Sequence, residues 1–101
     1  MTYPREVPAA TNCPALSFTD GEAAIVRSMG AQLEAMFVAV AKRRGIVFVD
    51  PYVARGDHTG CAPPSQRWTA GHIPDDGFAY HPTALGHQVM AKMIIEALSH
   101  H

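Results

Sequence analysis

His81 stands directly before Pro82 in the run His81-Pro82-Thr83-Ala84-Leu85-Gly86-His87-Gln88-Val89-Met90-Ala91, and an imidazole on so stiff a backbone suits a general base. Proline fits a first helical turn, because its missing N–H would be unpaired there anyway and its φ is already helical. Leu85, Val89, Met90, Met93, Ile94 and Leu98 follow at helical spacing. That predicts a helix over 82–98 with one buried stripe and its first turn at a domain edge. A nucleophile to match is missing, since Ser17, Ser28, Ser65 and Ser99 lie in a loop, a helix, a Pro-flanked loop and the tail.

The elements that must hold this histidine can be read from pattern. Residues 1–18 carry Pro4, Pro8 and Pro14 with little periodicity and read as an extended N-terminal segment. Thr19-x-x-Glu22 has the form of a capping box and Gly45 supplies a stop, which predicts a helix over 19–44. Within it Ile25, Met29, Leu33, Met36, Phe37 and Val40 form one wide apolar face, expected to be core. Ile46-Val47-Phe48-Val49 predicts a parallel strand over 46–50, buried on both faces. Residues 51–80 read as one long loop, in which 68–70 and 78–80 are candidates for brief pairing.

Two helices and one central strand cannot close a core, because a lone strand leaves both rows of backbone donors and acceptors unpaired. The chain is therefore expected to be incomplete alone. The missing strands would come from an N-terminal portion, a second polypeptide or an identical chain.

The 101 residues are 48% apolar with a formal charge of −1, which indicates one globular domain and argues against a disordered tail or a nucleic-acid surface. Lys42-Arg43-Arg44 complements the negative end of the first helix. No stretch reads as long and apolar enough to span a bilayer, so no transmembrane segment is expected, and the N-terminus lacks the pattern of a signal peptide. Cys13 and Cys61 either bridge a long loop or stay reduced and buried, and the sequence leaves both open. His58-x-x-Cys61, His72, His87 and the terminal His100-His101 match no metal-site spacing well, so no metal is expected.

The run His-Pro-x-x-x-Gly-x-x-x-Met-Ala resembles the C-terminal histidine block of the SGNH (GDSL) hydrolases. Tyr3-Pro4, Cys13-Pro14, the long helix, Gly45 to Asp50, Gly56 to Cys61 and Trp68 fall in the order seen in secreted actinobacterial-type members. The likeness covers most of the chain but only the family's C-terminal part. It implies an α/β class fold, the C-terminal part of a three-layer α/β/α, flavodoxin-like domain. It also implies carboxylic ester hydrolysis on a small-molecule or lipid ester, with no metal or organic cofactor, in a secreted protein bridged between Cys13 and Cys61.

In that likeness His81 is the catalytic base. Most members place an aspartate three residues earlier, where this chain has Phe78. The resemblance then implies that the main-chain carbonyl of Phe78 orients the ring, as in serine–histidine dyads, with Asp76 or Asp75 as the alternative. Thr83 replaces the family's asparagine and can still cap the helix, while Trp68 and Tyr80 are expected to line the pocket. Gly86 implies close packing of the helix start. The family's Gly-Asp-Ser block and oxyanion donors are absent, and Gly56-Asp57-His58 has histidine where the hydroxyl belongs. The chain alone is thus expected to be inactive or nearly so. The alternative is a non-catalytic remnant or interaction module that docks a partner or itself through exposed apolar faces.

Overall fold

The computed structural model describes residues 1–100. They form two α-helices, α1 (Asp20–Arg44) and α2 (Ala84–Ser99), with single 3-10 turns at Pro14–Leu16, Pro51–Val53 and Pro64–Gln66. Each 3-10 turn carries proline in its opening positions, where a missing N–H costs nothing.

α1 starts as its sequence dictates. Thr19 Oγ1 accepts from the Glu22 N–H at 3.1 Å and Glu22 Oε1 accepts from the Thr19 N–H at 2.8 Å, so two orphan donors are satisfied reciprocally. Gly45 ends the helix at φ 63°, a left-handed conformation that glycine adopts without steric penalty.

The side that α1 buries is not the one its large residues mark. Ala23 and Ala41 are buried, with Val26, Arg27, Gly30 and Glu34 half-buried on the same flank. Small side chains let the N-terminal segment and Tyr52 approach closely: a Cβ at Gly30 would lie 2.8 Å from Tyr52 Oη. Arg27 fixes the contact by donating to the carbonyls of Pro8 at 2.9 Å and Thr11 at 2.8 Å. The stripe expected to be core is exposed instead, at 61% for Ile25 and 64% for Met29, and it continues through Leu33, Met36, Phe37 and Val40. Against the expectation of no such segment, α1 also holds an 18-residue window long and apolar enough to cross a membrane by length and composition.

The expected α/β architecture is overturned. Among the described residues there is no strand and no sheet, only an isolated antiparallel bridge between Thr69 and Pro82. Residues 46–50 form no ladder: Ile46 N–H donates to Ala41 O, Val49 O accepts from Thr2 N–H, and the backbone groups between them have no protein partner among the described residues. The physical reason is the one that made a lone strand untenable, since a ladder needs a neighbour and this chain has none to offer. The helices make no extensive contact with each other either.

What holds the molecule together is a small loop-built core. Val7, Leu16 and Ala23 are fully buried, with Cys13, Phe18, Val26, Cys61 and Tyr80 packed around them. Cys13 and Cys61 are disulfide-bonded, with Cα atoms 5.8 Å apart, which ties the N-terminal segment to the long loop. Gly60 and Gly71 pass so close to Leu16 and Ala15 that a Cβ at either would collide.

α2 begins at Ala84 rather than at Pro82, because Thr83 is its N-cap. Thr83 Oγ1 accepts from the Gly86 N–H at 3.0 Å and donates to Arg67 O at 2.7 Å. Gly86 has the close packing that its sequence implied: a Cβ there would stand 2.1 Å from the carbonyl oxygen of Trp68. Met90 is buried on the same side, while Ile95 and Leu98 point outward.

Candidate active site

The backbone around His81 is clamped before its side chain enters the argument. Residues 68–71 and 80–83 run alongside each other, with Tyr80 N–H to Gly71 O at 3.2 Å, Ala70 N–H to His81 O at 2.9 Å and Thr83 N–H to Trp68 O at 2.9 Å. The pairing expected between 68–70 and 78–80 is displaced by about two residues: it starts at Tyr80, and its bridge joins Thr69 to Pro82. A tight turn leads into it: His81 N–H donates to Phe78 O at 3.2 Å, and Tyr80, the third residue of that turn, has φ 61°. A bulky residue rarely adopts this left-handed conformation, and it persists only where surrounding contacts enforce it.

Those contacts are visible. The Tyr80 ring stacks on Phe18 with centroids 5.1 Å apart, and its hydroxyl donates to Leu16 O at 2.6 Å. His72 Nδ1 lies 3.1 Å from the same hydroxyl. Tyr80 was expected to line a pocket; here it locks a strained turn to the core.

The turn's product is the setting of the His81 ring. Nδ1 lies 2.8 Å from the carbonyl oxygen of Ala79. A carbonyl only accepts, so Nδ1 carries a proton in this contact, and in the neutral ring that tautomer leaves the lone pair on Nε2. The residue is exposed, with Phe78 edge-on at 6.1 Å between ring centroids. An imidazole held by Nδ1, with Nε2 bonded to no protein group among the described residues, has the placement a general base requires.

The orienting carbonyl is that of Ala79, not Phe78, whose oxygen is taken by the His81 backbone. Asp76 is not at the ring: its Oδ1 accepts from the Ala84 N–H at 3.2 Å, adding a second cap to α2. Asp75 pairs with Arg67 at 3.5 Å in an exposed contact of the kind worth little. Sequence reasoning missed Ala79 because a main-chain carbonyl leaves no trace in residue type. The left-handed Tyr80 that aims it was equally hidden, since tyrosine is the last residue one expects there.

Trp68 borders only a small cavity. Its ring is covered by His58, with centroids 3.7 Å apart and planes within 4°. Both His58 nitrogens face carbonyls, Nδ1 that of Gln66 at 2.8 Å and Nε2 that of Arg55 at 3.1 Å. The doubly protonated ring makes both bonds and either neutral tautomer makes one. The cavity beside this pair, between Arg5, Tyr52, Thr59 and Trp68, holds about 20 Å³, room for a single water. Gly56-Asp57-His58 is a turn in which Asp57 Oδ1 accepts from Thr59 N–H and Oγ1, with no hydroxyl in a nucleophile's place.

No serine hydroxyl is hydrogen-bonded to His81 among the described residues; Ser28 accepts from Gln32 and Ser99 donates to Ile95 O. Among the same residues, no three His, Cys, Asp or Glu side chains gather at one point, and His101 of the terminal pair lies outside them. The larger grooves follow α1, one of about 590 Å³ along Val26, Met29, Leu33 and Met36. Among the described residues, a rigidly mounted imidazole with its Nδ1 on a main-chain carbonyl is present, and no serine hydroxyl is bonded to it. No family model, no curated protein and no solved structure matches the chain.

Proposed function

We propose that this chain is the histidine-bearing portion of an SGNH-type serine ester hydrolase whose nucleophile resides on polypeptide outside residues 1–101. The observation that carries the reading is the 2.8 Å contact between His81 Nδ1 and Ala79 O, which in the neutral ring places the lone pair on Nε2. The Tyr80 anchors fix that geometry before any substrate arrives, which lowers the entropy cost of assembling the reaction.

In this reading an incoming serine Oγ attacks the ester carbonyl carbon while His81 Nε2 takes the hydroxyl proton. The tetrahedral intermediate collapses with cleavage of the carbonyl carbon–alkoxy oxygen bond, and the departing alcohol takes the proton from Nε2. Water repeats both steps on the acyl-serine and releases the acid. Throughout, Ala79 O accepts from Nδ1–H and stabilises the transient imidazolium. The chemistry requires no metal and no organic cofactor. The bridged Cys13 and Cys61 fit an oxidising compartment, and secretion follows as part of the proposal.

The test is complementation. The chain is mixed with a matching fragment carrying a Gly-Asp-Ser block, and hydrolysis of a short p-nitrophenyl ester is followed. Restored activity that His81→Ala abolishes supports the reading; activity unchanged in that variant removes His81 from the mechanism. A second reading, a non-catalytic interaction module, is favoured by the exposed stripe of α1. It is the one to retain if complementation fails while the chain still associates with itself or another protein.

A further inference from the structure

Two surfaces that a folded domain ordinarily covers occur together on α1 and the segment that follows it. The stripe from Ile25 to Val40 extends about 22 Å at helical rise. Past Gly45 the chain turns back: Ile46 is bonded to Ala41, and the Asp50 carboxylate meets Glu34. That run of roughly 10 Å along the helix suits nearly extended backbone better than another helical turn. The chain exposes 6562 Å², against about 5,600 Å² for a folded protein of its mass. The excess, roughly 1,000 Å², is close to the share one partner contributes to a standard interface.

We propose that a second copy of this chain covers the surface, the two copies pairing residues 46–50 as an antiparallel ribbon about a two-fold axis at Phe48. The register follows from which backbone groups are free. Thr2 already bonds Val49 O, so the edge of Val47 and Val49 is occupied at its end, and Ile46 N–H is held by Ala41. The opposite edge leaves open the N–H and C=O of Phe48, the C=O of Ile46 and the N–H of Asp50. In an antiparallel pair alternate residues exchange bonds. With Phe48 opposite the partner's Phe48, the two exchange both bonds and each Asp50 N–H reaches an Ile46 carbonyl. Every open group on that edge is then used.

Charge supports the same register. Asp50 falls opposite the partner's Ile46, next to the basic helix end Lys42-Arg43-Arg44, so the Glu34–Asp50 carboxyl pair gains cations. The two α1 helices lie antiparallel on one face of the ribbon, where their stripes share burial. Because Thr2 already takes Val49 O at the end of the second edge and the two-fold axis uses up the first, pairing closes at two copies. The proposal stands independently of the hydrolase reading, and a serine-bearing polypeptide would compete for the same edge.

The test is light scattering coupled to size exclusion on the full chain, up to about 100 µM, with amide exchange on the same samples. A mass about twice 10.9 kDa is expected, with Phe48 and Asp50 amides protected in the dimer and exposed on dilution. Met29→Lys, at an exposed position, should shift the midpoint of dimerisation at least tenfold while leaving the Cys13–Cys61 bridge and helix content intact. Phe48→Cys should form a disulfide-linked dimer, since directly opposed Cα atoms lie about 5.5 Å apart, whereas Val53→Cys should not. A monomer throughout, open aggregates in place of a dimer, or a dimer whose Phe48 and Asp50 amides exchange freely would each overturn the proposal.

Discussion

Tyr80 donates its hydroxyl to the carbonyl of Leu16 at 2.6 Å, across 64 positions of sequence, and that one bond joins the turn before His81 to the main chain of a fully buried core residue. Leu16 is 0% exposed. Tyr80 holds φ 61° because its ring and hydroxyl are both fixed, and the left-handed turn in its turn sets Ala79 O against the imidazole. The geometry of the candidate base is therefore a consequence of core packing.

Tyr80→Phe should lower stability by about 1–2 kcal/mol, the usual cost of leaving a partly buried acceptor unpaired. Chemical denaturation measures it. The His81 and Tyr80 amides should lose exchange protection more than amides in the middle of α1. Equal loss everywhere would mean that Tyr80 stabilises the fold without specifically holding the turn.

Gly86→Ala should destabilise even though alanine is the better helix former by about 1 kcal/mol. Its Cβ would fall 2.1 Å from Trp68 O, forcing α2 away from the segment that clamps His81. A loss of about 1–3 kcal/mol is expected, as for overpacking. Gly21→Ala, which meets only Thr19 Oγ1 at 3.9 Å, is the control and should be neutral or slightly stabilising.

Shifted carboxyls give the pH profile opposite slopes: Glu22 is lowered, while Glu6 is raised by burial and Glu34 by its bond with Asp50. Bonding to the backbone and hydroxyl of Thr19 holds Glu22 below its ordinary value of 4.5, so its contribution is present above that value and lost as pH falls through the lower folded one. Burial pushes Glu6 above 4.5. Its folded form prefers the proton, so stability declines as pH rises from about 4.5 through the raised value. Glu6→Gln should lessen that decline, leaving the part due to Glu34, and raise the denaturation midpoint at neutral pH, while Glu22→Gln should weaken the neutral protein and flatten the acid limb. A Glu6→Gln profile parallel to wild type would show that its burial is relieved by other means.

Reduction should release two thiols and destabilise the fold by about 4 kcal/mol, the scale for a loop of this length on the chain-entropy account. A non-reduced mass two hydrogens below the reduced one checks the bridge between Cys13 and Cys61. Cys13→Ser together with Cys61→Ser should unfold at markedly lower denaturant than the bridged chain.

What residue type and spacing fixed by themselves were features whose causes are local. The capping box at Thr19 and Glu22, the glycine stop at Gly45 and the cap at Thr83 all formed, because the groups that satisfy a helix end lie within one turn of it. The apolar run at 46–49 was just as legible as a strand, yet it is not one within this chain, because a strand is completed by a neighbour and no other described segment forms a ladder with it.

Only tertiary structure decided which flank of α1 is covered. Periodicity marked Ile25, Met29 and Leu33, but the flank that docks bears Ala23, Gly30 and Ala41, since small side chains admit the N-terminal segment and Tyr52. Only tertiary structure, likewise, chose the carbonyl at His81 Nδ1: any residue has one, and what aims that of Ala79 is a tyrosine held in a left-handed turn by contacts from 64 residues away. Local order is written in neighbouring side chains, whereas a site built from main-chain groups comes into being only when distant parts of the chain meet.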